Sequence, residues 1–310
     1  MHTTKTQLVI KILLTSIIAI LTLYISPFYF NGDQYNYIKI YKDLMSFNLV
    51  DGYFYYLVSL GTAEFSHFFI TWIFSNLNID KVIFNIITNS LLAYAVISLM
   101  QKWKVSLFII VSIVIFNFYF FVLYFAAERL KFGIFFLVLF VLKNENYKDN
   151  TKYIYLSIVS HAQMLLIYGS FIFSSIVLQF LNLKISKRLI FILIITIILL
   201  IPMYNHILYK LQFYIKFGGF ENIFKPTIFF LLTFYYSKNK MRTFLVFLII
   251  IFSAYILGDE RITIFAYFIF LYYALHINRG LNFGVILTSI YFSYKSIAFI
   301  NNIFIYGQGY

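Results

Sequence analysis

Apolar residues run in long blocks along this chain, and short polar or charged clusters separate them. After a short basic start, Met1 to Lys11, the stretch Ile12 to Tyr29 is apolar throughout. Further apolar blocks cover Tyr53 to Leu77, Val82 to Met100, Val105 to Phe125, Leu130 to Leu142, Tyr153 to Phe180 and Leu189 to Met203. Pro226 to Tyr236, Thr243 to Leu257, Ile262 to Leu275 and Phe283 to Ile300 complete the series. Several blocks approach the roughly 20 residues that a helix needs to cross a hydrocarbon core, and the shorter ones must borrow flanking residues. The pattern predicts an all-α fold, a polytopic transmembrane helical bundle built as one integral membrane domain over residues 1–310. About nine spans are expected, together with two short hairpin or re-entrant segments. The first block reads as an uncleaved signal anchor with its N-terminus inside.

Composition sharpens this reading. The 310 residues are 62% hydrophobic and 11% charged, more apolar surface than a soluble fold requires. Cysteine is absent, which excludes disulfides and thiol chemistry, and the five histidines lack metal-ligand spacing, so no metal and no cofactor is expected. The net charge of +13 would suit nucleic acid in a soluble chain. Between membrane spans it is instead a guide to orientation, and no nucleic-acid partner is expected. Placing the N-terminus, Lys102 to Lys104, Lys143 to Lys152, Leu183 to Arg188, Ser237 to Arg242 and the Arg279 loop on the cytoplasmic side gathers 14 of 24 bases there with 2 of 11 acids. Residues 31–52 and 204–225 then become extracytoplasmic loops, and the C-terminus lies outside.

This topology makes two demands. Tyr53 to Leu77 must enter and leave on the outer side, and Tyr153 to Phe180 on the inner side. Each block has a polar break, Gly61-Thr62-Ala63-Glu64 in one and His161 with Gln163 in the other. Irregular backbone at membrane depth needs protein or a water cavity around it, so both breaks point to an internal cavity.

The charges that interrupt apolar sequence supply the candidate chemistry. Arg129 and Arg261 each stand beside an acid at the outer end of a span, and a guanidinium fork suits phosphate or pyrophosphate oxygens. The structural alternative pairs Arg129 with Glu128 and Arg261 with Glu260. Asp33, Glu64 and His161 are candidate proton acceptors. If residues after Gly32 are helical, Asp33, Tyr37 and Tyr41 share one face with Tyr35 turned away, placing an acid beside rings that stack on sugars. Lys131 reads as a headgroup anchor. Together these residues suggest transfer chemistry on a polar group attached to a lipid phosphate.

The order of these motifs resembles that of the EpsG and Wzy-type polysaccharide polymerases. Asn31-Gly32-Asp33-Gln34-Tyr35-Asn36-Tyr37 is similar to their G-T-D-Y-x-x-Y region, matching at Asp33 and Tyr37. Ala63-Glu64-Phe65 falls at their E-P-x-x helix start, and Glu128-Arg129-Leu130-Lys131-Phe132-Gly133 at their L-R-Q-x-x-A segment. Ser160-His161-Ala162-Gln163 resembles their F-H-x-S-A stretch, and Gly258-Asp259-Glu260-Arg261 their late arginine-bearing segment.

The resemblance implies an O-antigen polymerase of the bacterial inner membrane. Such an enzyme uses undecaprenyl-pyrophosphate-linked glycan as both donor and acceptor, with membrane lipid around it and a chain-length regulator as a protein partner. Asp33, then His161 and Glu64, would be the catalytic base, and Arg129 with Arg261 would bind pyrophosphate. Tyr37, Tyr41, Lys210, Lys216 and Lys225 would hold glycan or the second headgroup. A flippase of lipid-linked sugars would use similar arginines but should show a pseudo-repeat between its halves, and none is visible. An O-antigen ligase shares the donor and differs in its acceptor.

Overall fold

The computed structural model describes residues 4–143, 150–182, 218–258 and 260–309, with the side chains of Glu260 and Arg261 outside the description. Among the described residues every regular element is helical. Five helices are long and apolar enough to cross a membrane, and up to seven spans result if each of two bent pairs counts as one. Leu189 to Met203, one of the expected nine, lies outside the described residues.

Contacts divide the chain into two compact units, residues 1–162 with 278–310 and residues 163–277. The first unit opens with α1 (Thr4–Ile25), which packs along α5 (Lys81–Lys102), and α5 in turn packs against α8 (Glu128–Lys143). Between them lie α2 (Asp33–Asp43), α3 (Leu49–Leu60), α4 (Phe65–Asn76), α6 (Leu107–Phe116) and α7 (Phe118–Phe121). The short α9 (Thr151–Ser160) covers α8. The second unit holds α10 (Met164–Leu181), α11 (Phe224–Tyr236), α12 (Lys240–Leu257) and α13 (Glu260–Ala274), with α10 on α12 and α11 on both α12 and α13. The last helix, α14 (Phe283–Tyr306), returns to the first unit and packs on α6 and α7.

Local sequence accounts for the helix starts. Asn48, Asp80, Asn117, Asn239 and Asn282 each accept a backbone N–H of the first turn that has no intrahelical partner. Residues 31–52, expected as a loop, are largely helical. Asn48 starts α3 inside that stretch, and Tyr37, Ile40 and Tyr41 give α2 a buried face. The 53–77 block breaks where the sequence placed the break. Gly61 ends α3 in the left-handed conformation (φ 57°), and α3 and α4 meet at 119°. The 153–180 block also breaks as expected, at residues 161–163 between α9 and α10.

Hydrogen bonds tie the loop ends of the first unit into two groups. In one, Gln101 donates to the Gln7 carbonyl, Lys102 to that of Leu142, and Arg279 to that of Lys104. In the other, the Gly307 carbonyl accepts from the Phe30 and Asn31 amides. The start of α8 is remote from Leu142, and Gln34 of α2 donates to the Phe125 carbonyl at 2.6 Å. Asp33, Tyr37 and Arg129 therefore lie toward the second group.

Candidate functional site

Three of the predicted site residues stand at breaks between helices. Glu64 ends the Gly61–Glu64 turn and begins α4. Ahead of Arg129, Val122–Ala126 form one wide π-helical turn and Ala127 leaves helical geometry, so α8 restarts at Glu128. His161 follows α9 in extended conformation. Wide turns of this kind are frequent at functional sites because they redirect the side chains that follow.

The breaks bring these residues together. Arg129 Nη1 donates to Glu64 Oε2 at 2.9 Å, and His161 Nδ1 lies 2.5 Å from Glu64 Oε1. The Arg129 Nε–H donates to the Tyr37 hydroxyl at 3.0 Å. Glu64 is 1% exposed and His161 4%. An ionised carboxylate only accepts, so it keeps the neutral imidazole protonated on Nδ1 and makes Nε2 the basic nitrogen. Arg129 Nη2 makes no hydrogen bond among the described residues, so a second edge of the guanidinium remains for an anion. The cluster thus holds a base and a cation side by side.

Two sequence readings are corrected, the alternative pairing of Arg129 with Glu128 and the anchoring role of Lys131. Arg129 pairs with Glu64, 65 residues away, because adjacent residues of α8 do not face each other and Glu128 turns to Lys81 and His67 instead. Lys131 is no headgroup anchor. It is 1% exposed, and its ammonium donates to Thr88 Oγ1 and Asn89 Oδ1, each at 2.9 Å. It lies inside the bundle because α5 offers a polar face there.

Asp33 is exposed in the first turn of α2, and Tyr35 points outward at 61% exposure. Tyr41 is a core residue whose hydroxyl donates to the Ile79 carbonyl at 2.8 Å, so it offers no ring to a sugar. Lys225 is exposed on α11 in the second unit. Lys210, Lys216 and the side chain of Arg261 lie outside the described residues. No group of three or more metal-ligating side chains forms among the described residues.

Sequence reading missed a second buried cluster. Glu128 Oε1 accepts from Lys81 Nζ at 2.6 Å and lies 3.3 Å from His67 Nε2, and His67 Nδ1 is 2.8 Å from the Tyr56 hydroxyl. One signal was available. Lys81, Asn85, Thr88 and Asn89 recur at helical spacing, a polar stripe on an otherwise apolar span.

Fold and site together define a helical protein with span-forming helices and a buried ionic network at helix breaks. Comparison with protein-family models, with curated proteins and with solved structures finds no match to this chain.

Proposed function

We propose that this protein is a polysaccharide polymerase. It would be a membrane glycosyltransferase that joins undecaprenyl-pyrophosphate-linked repeat units at the outer face of the bacterial inner membrane, with O-antigen as product. The observation that carries this reading is Arg129 set between Tyr37 and the Glu64–His161 pair. Glycosyl transfer from a lipid pyrophosphate needs a base for the attacking hydroxyl and a cation for the departing diphosphate, and this cluster offers both. The order of motifs that resembles the EpsG and Wzy-type polymerases supplies the substrate class.

In the proposed step His161 Nε2 removes the proton of the acceptor hydroxyl. Its oxygen bonds to the anomeric carbon of the donor, and the bond from that carbon to the pyrophosphate oxygen breaks with its electron pair. Arg129 stabilises the charge that develops on the pyrophosphate. Glu64 positions both the imidazole and the guanidinium, and Asp33, exposed at the start of α2, faces the incoming glycan.

The test is the surface glycan of cells carrying Arg129→Ala. Long chains should vanish while single repeats still reach the surface. Loss of single repeats as well would favour a flippase, and unchanged long chains would remove Arg129 from the site.

A further inference from the structure

The second unit, residues 163–277, has three acids in its sequence, Glu221, Asp259 and Glu260. All three belong to one end of α12. Asp259 and Glu260 follow shortly after its last residue, Leu257, and the Gly219 amide donates to the Tyr255 carbonyl, which brings the turn holding Glu221 to that end as well. Arg242 stands at the other end, in the first turn. Since α12 has 18 residues and is about 27 Å long, no carboxylate of this unit comes within reach of the Arg242 guanidinium.

The first turn of a helix is a poor place for a cation without a counter-charge, because the positive end of the helix dipole lies there. Lys240, two residues earlier, shows the usual remedy. Its ammonium turns away and donates to the Phe234 and Tyr235 carbonyls at the C-terminal end of α11. Arg242 takes no such outlet. Its guanidinium lies over the Phe171 ring of α10, with 5.6 Å from the central carbon to the ring centroid. Its Nε is buried and finds no hydrogen-bond acceptor among the described residues. A buried donor of a charged group left unsatisfied carries its full desolvation cost, while the stacked ring fixes the plane of the fork. The arrangement is that of a receptor for an anion.

The surroundings select the kind of anion. Met241 and Phe244, in the same turn, are 46% and 45% exposed, on a helix long and apolar enough to cross a membrane. Lys238, exposed in the preceding turn, adds a second positive charge. A ligand suited to this end of α12 has a negative head and a hydrocarbon tail. The positive-inside rule expects Ser237 to Arg242 at the cytoplasmic face, where anionic headgroups lie, and guanidinium matches phosphate oxygens.

We infer that Arg242 is a binding site for the phosphate of an anionic membrane lipid. The guanidinium, seated on Phe171, takes the phosphodiester oxygens, and Met241 and Phe244 meet the acyl chains. The site stands apart from the transferase reading, and its test needs no enzymatic activity.

The experiment adds phosphatidylglycerol to the purified full-length protein in a neutral maltoside detergent and reads bound lipid by native mass spectrometry. Arg242→Gln should weaken retention of one phosphatidylglycerol about 10-fold, the worth of one charge-assisted hydrogen bond. Lys238→Gln removes the same charge from the exposed side of the turn and should change retention little. Equal losses in the two variants would mean diffuse attraction to a basic end and would overturn the site. Inorganic phosphate at millimolar concentration should leave the lipid in place, and displacement by it would make free phosphate the ligand and overturn the lipid assignment.

Thermal unfolding separates ligand binding from a structural role. In lipid-free detergent Arg242→Gln should unfold no earlier than the wild type, since it removes a cation that has no counter-charge. Phosphatidylglycerol should then raise the unfolding temperature of the wild type and not that of the variant. A variant that unfolds several degrees earlier without lipid would show that the guanidinium already has a partner within the chain, which overturns the site.

Discussion

Glu64 carries a different partner on each carboxylate oxygen, the Arg129 guanidinium on Oε2 and the His161 imidazole on Oε1. Removing its charge alone leaves a guanidinium that is only 12% exposed without a counter-charge. Breaking a buried pair from one side costs about 3–5 kcal/mol, mostly through the uncompensated charge left behind. Glu64→Gln should therefore lower the thermal midpoint of the detergent-solubilised protein by several degrees, whereas Glu64→Gln with Arg129→Gln should recover much of that loss. A double variant less stable than Glu64→Gln would show that Arg129 is balanced by another group. Lys131 is held by Thr88 and Asn89, which are neutral, so the two bases of α8's first turn have different dependencies. Sequence inspection identified Glu64 as an acid in need of a partner. It could not identify that partner, because Arg129 is 65 residues away and its direction is set by the backbone ahead of α8.

At the scale of elements, the site is built from interruptions. The breaks at Gly61–Glu64 and His161 were legible because a turn-forming glycine and polar residues stand inside apolar blocks. The π-helical turn at Val122–Ala126 was not, since VLYFA contains neither glycine nor proline and differs little from the residues around it. The helix within residues 31–52 was less legible, because Asp33, Lys39, Lys42 and Asp43 mask a buried face made by Gln34, Tyr37, Ile40 and Tyr41. Gly61 allows the energetics of one break to be tested. It has φ 57° and ψ 39°, and a β-carbon added there would meet nothing within 4 Å. Substitution therefore costs only backbone strain, about 1–2 kcal/mol for an alanine in the left-handed region and less for asparagine, which visits it more readily. Thermal stability should fall in the order glycine, asparagine, alanine, valine. Alanine equal to glycine would mean that the turn does not hold the left-handed conformation in solution.

For the whole molecule, the charge census and the hydrogen bonds bear on topology independently. The positive-inside rule collects the N-terminus, Lys102, Lys104, Lys143 and Arg279 on one side from counts of bases alone. Hydrogen bonds join the same places, Gln7 with Gln101, Leu142 with Lys102, and Lys104 with Arg279. The rule likewise assigns Asn31 and the end of α14 to one side, and the Gly307 carbonyl binds the Asn31 amide at 2.8 Å. α1, 22 residues long and so about 33 Å, is long enough to separate the two groups by a hydrocarbon core. Contacts group the loops without saying which group faces the cytoplasm, and that step rests on the bases. Because the chain has no cysteine, single introduced cysteines report without background. Asn301→Cys, exposed near the end of α14, should react with a membrane-impermeant maleimide on intact cells, and Lys104→Cys only after permeabilisation. The reverse pattern would invert the orientation and place Arg129 and Glu64 toward the cytoplasm, opposite to the face the proposed transfer uses. Labelling of both cysteines from one side would break the grouping itself, and with it the placement of the site toward the Asn31 end of the first unit.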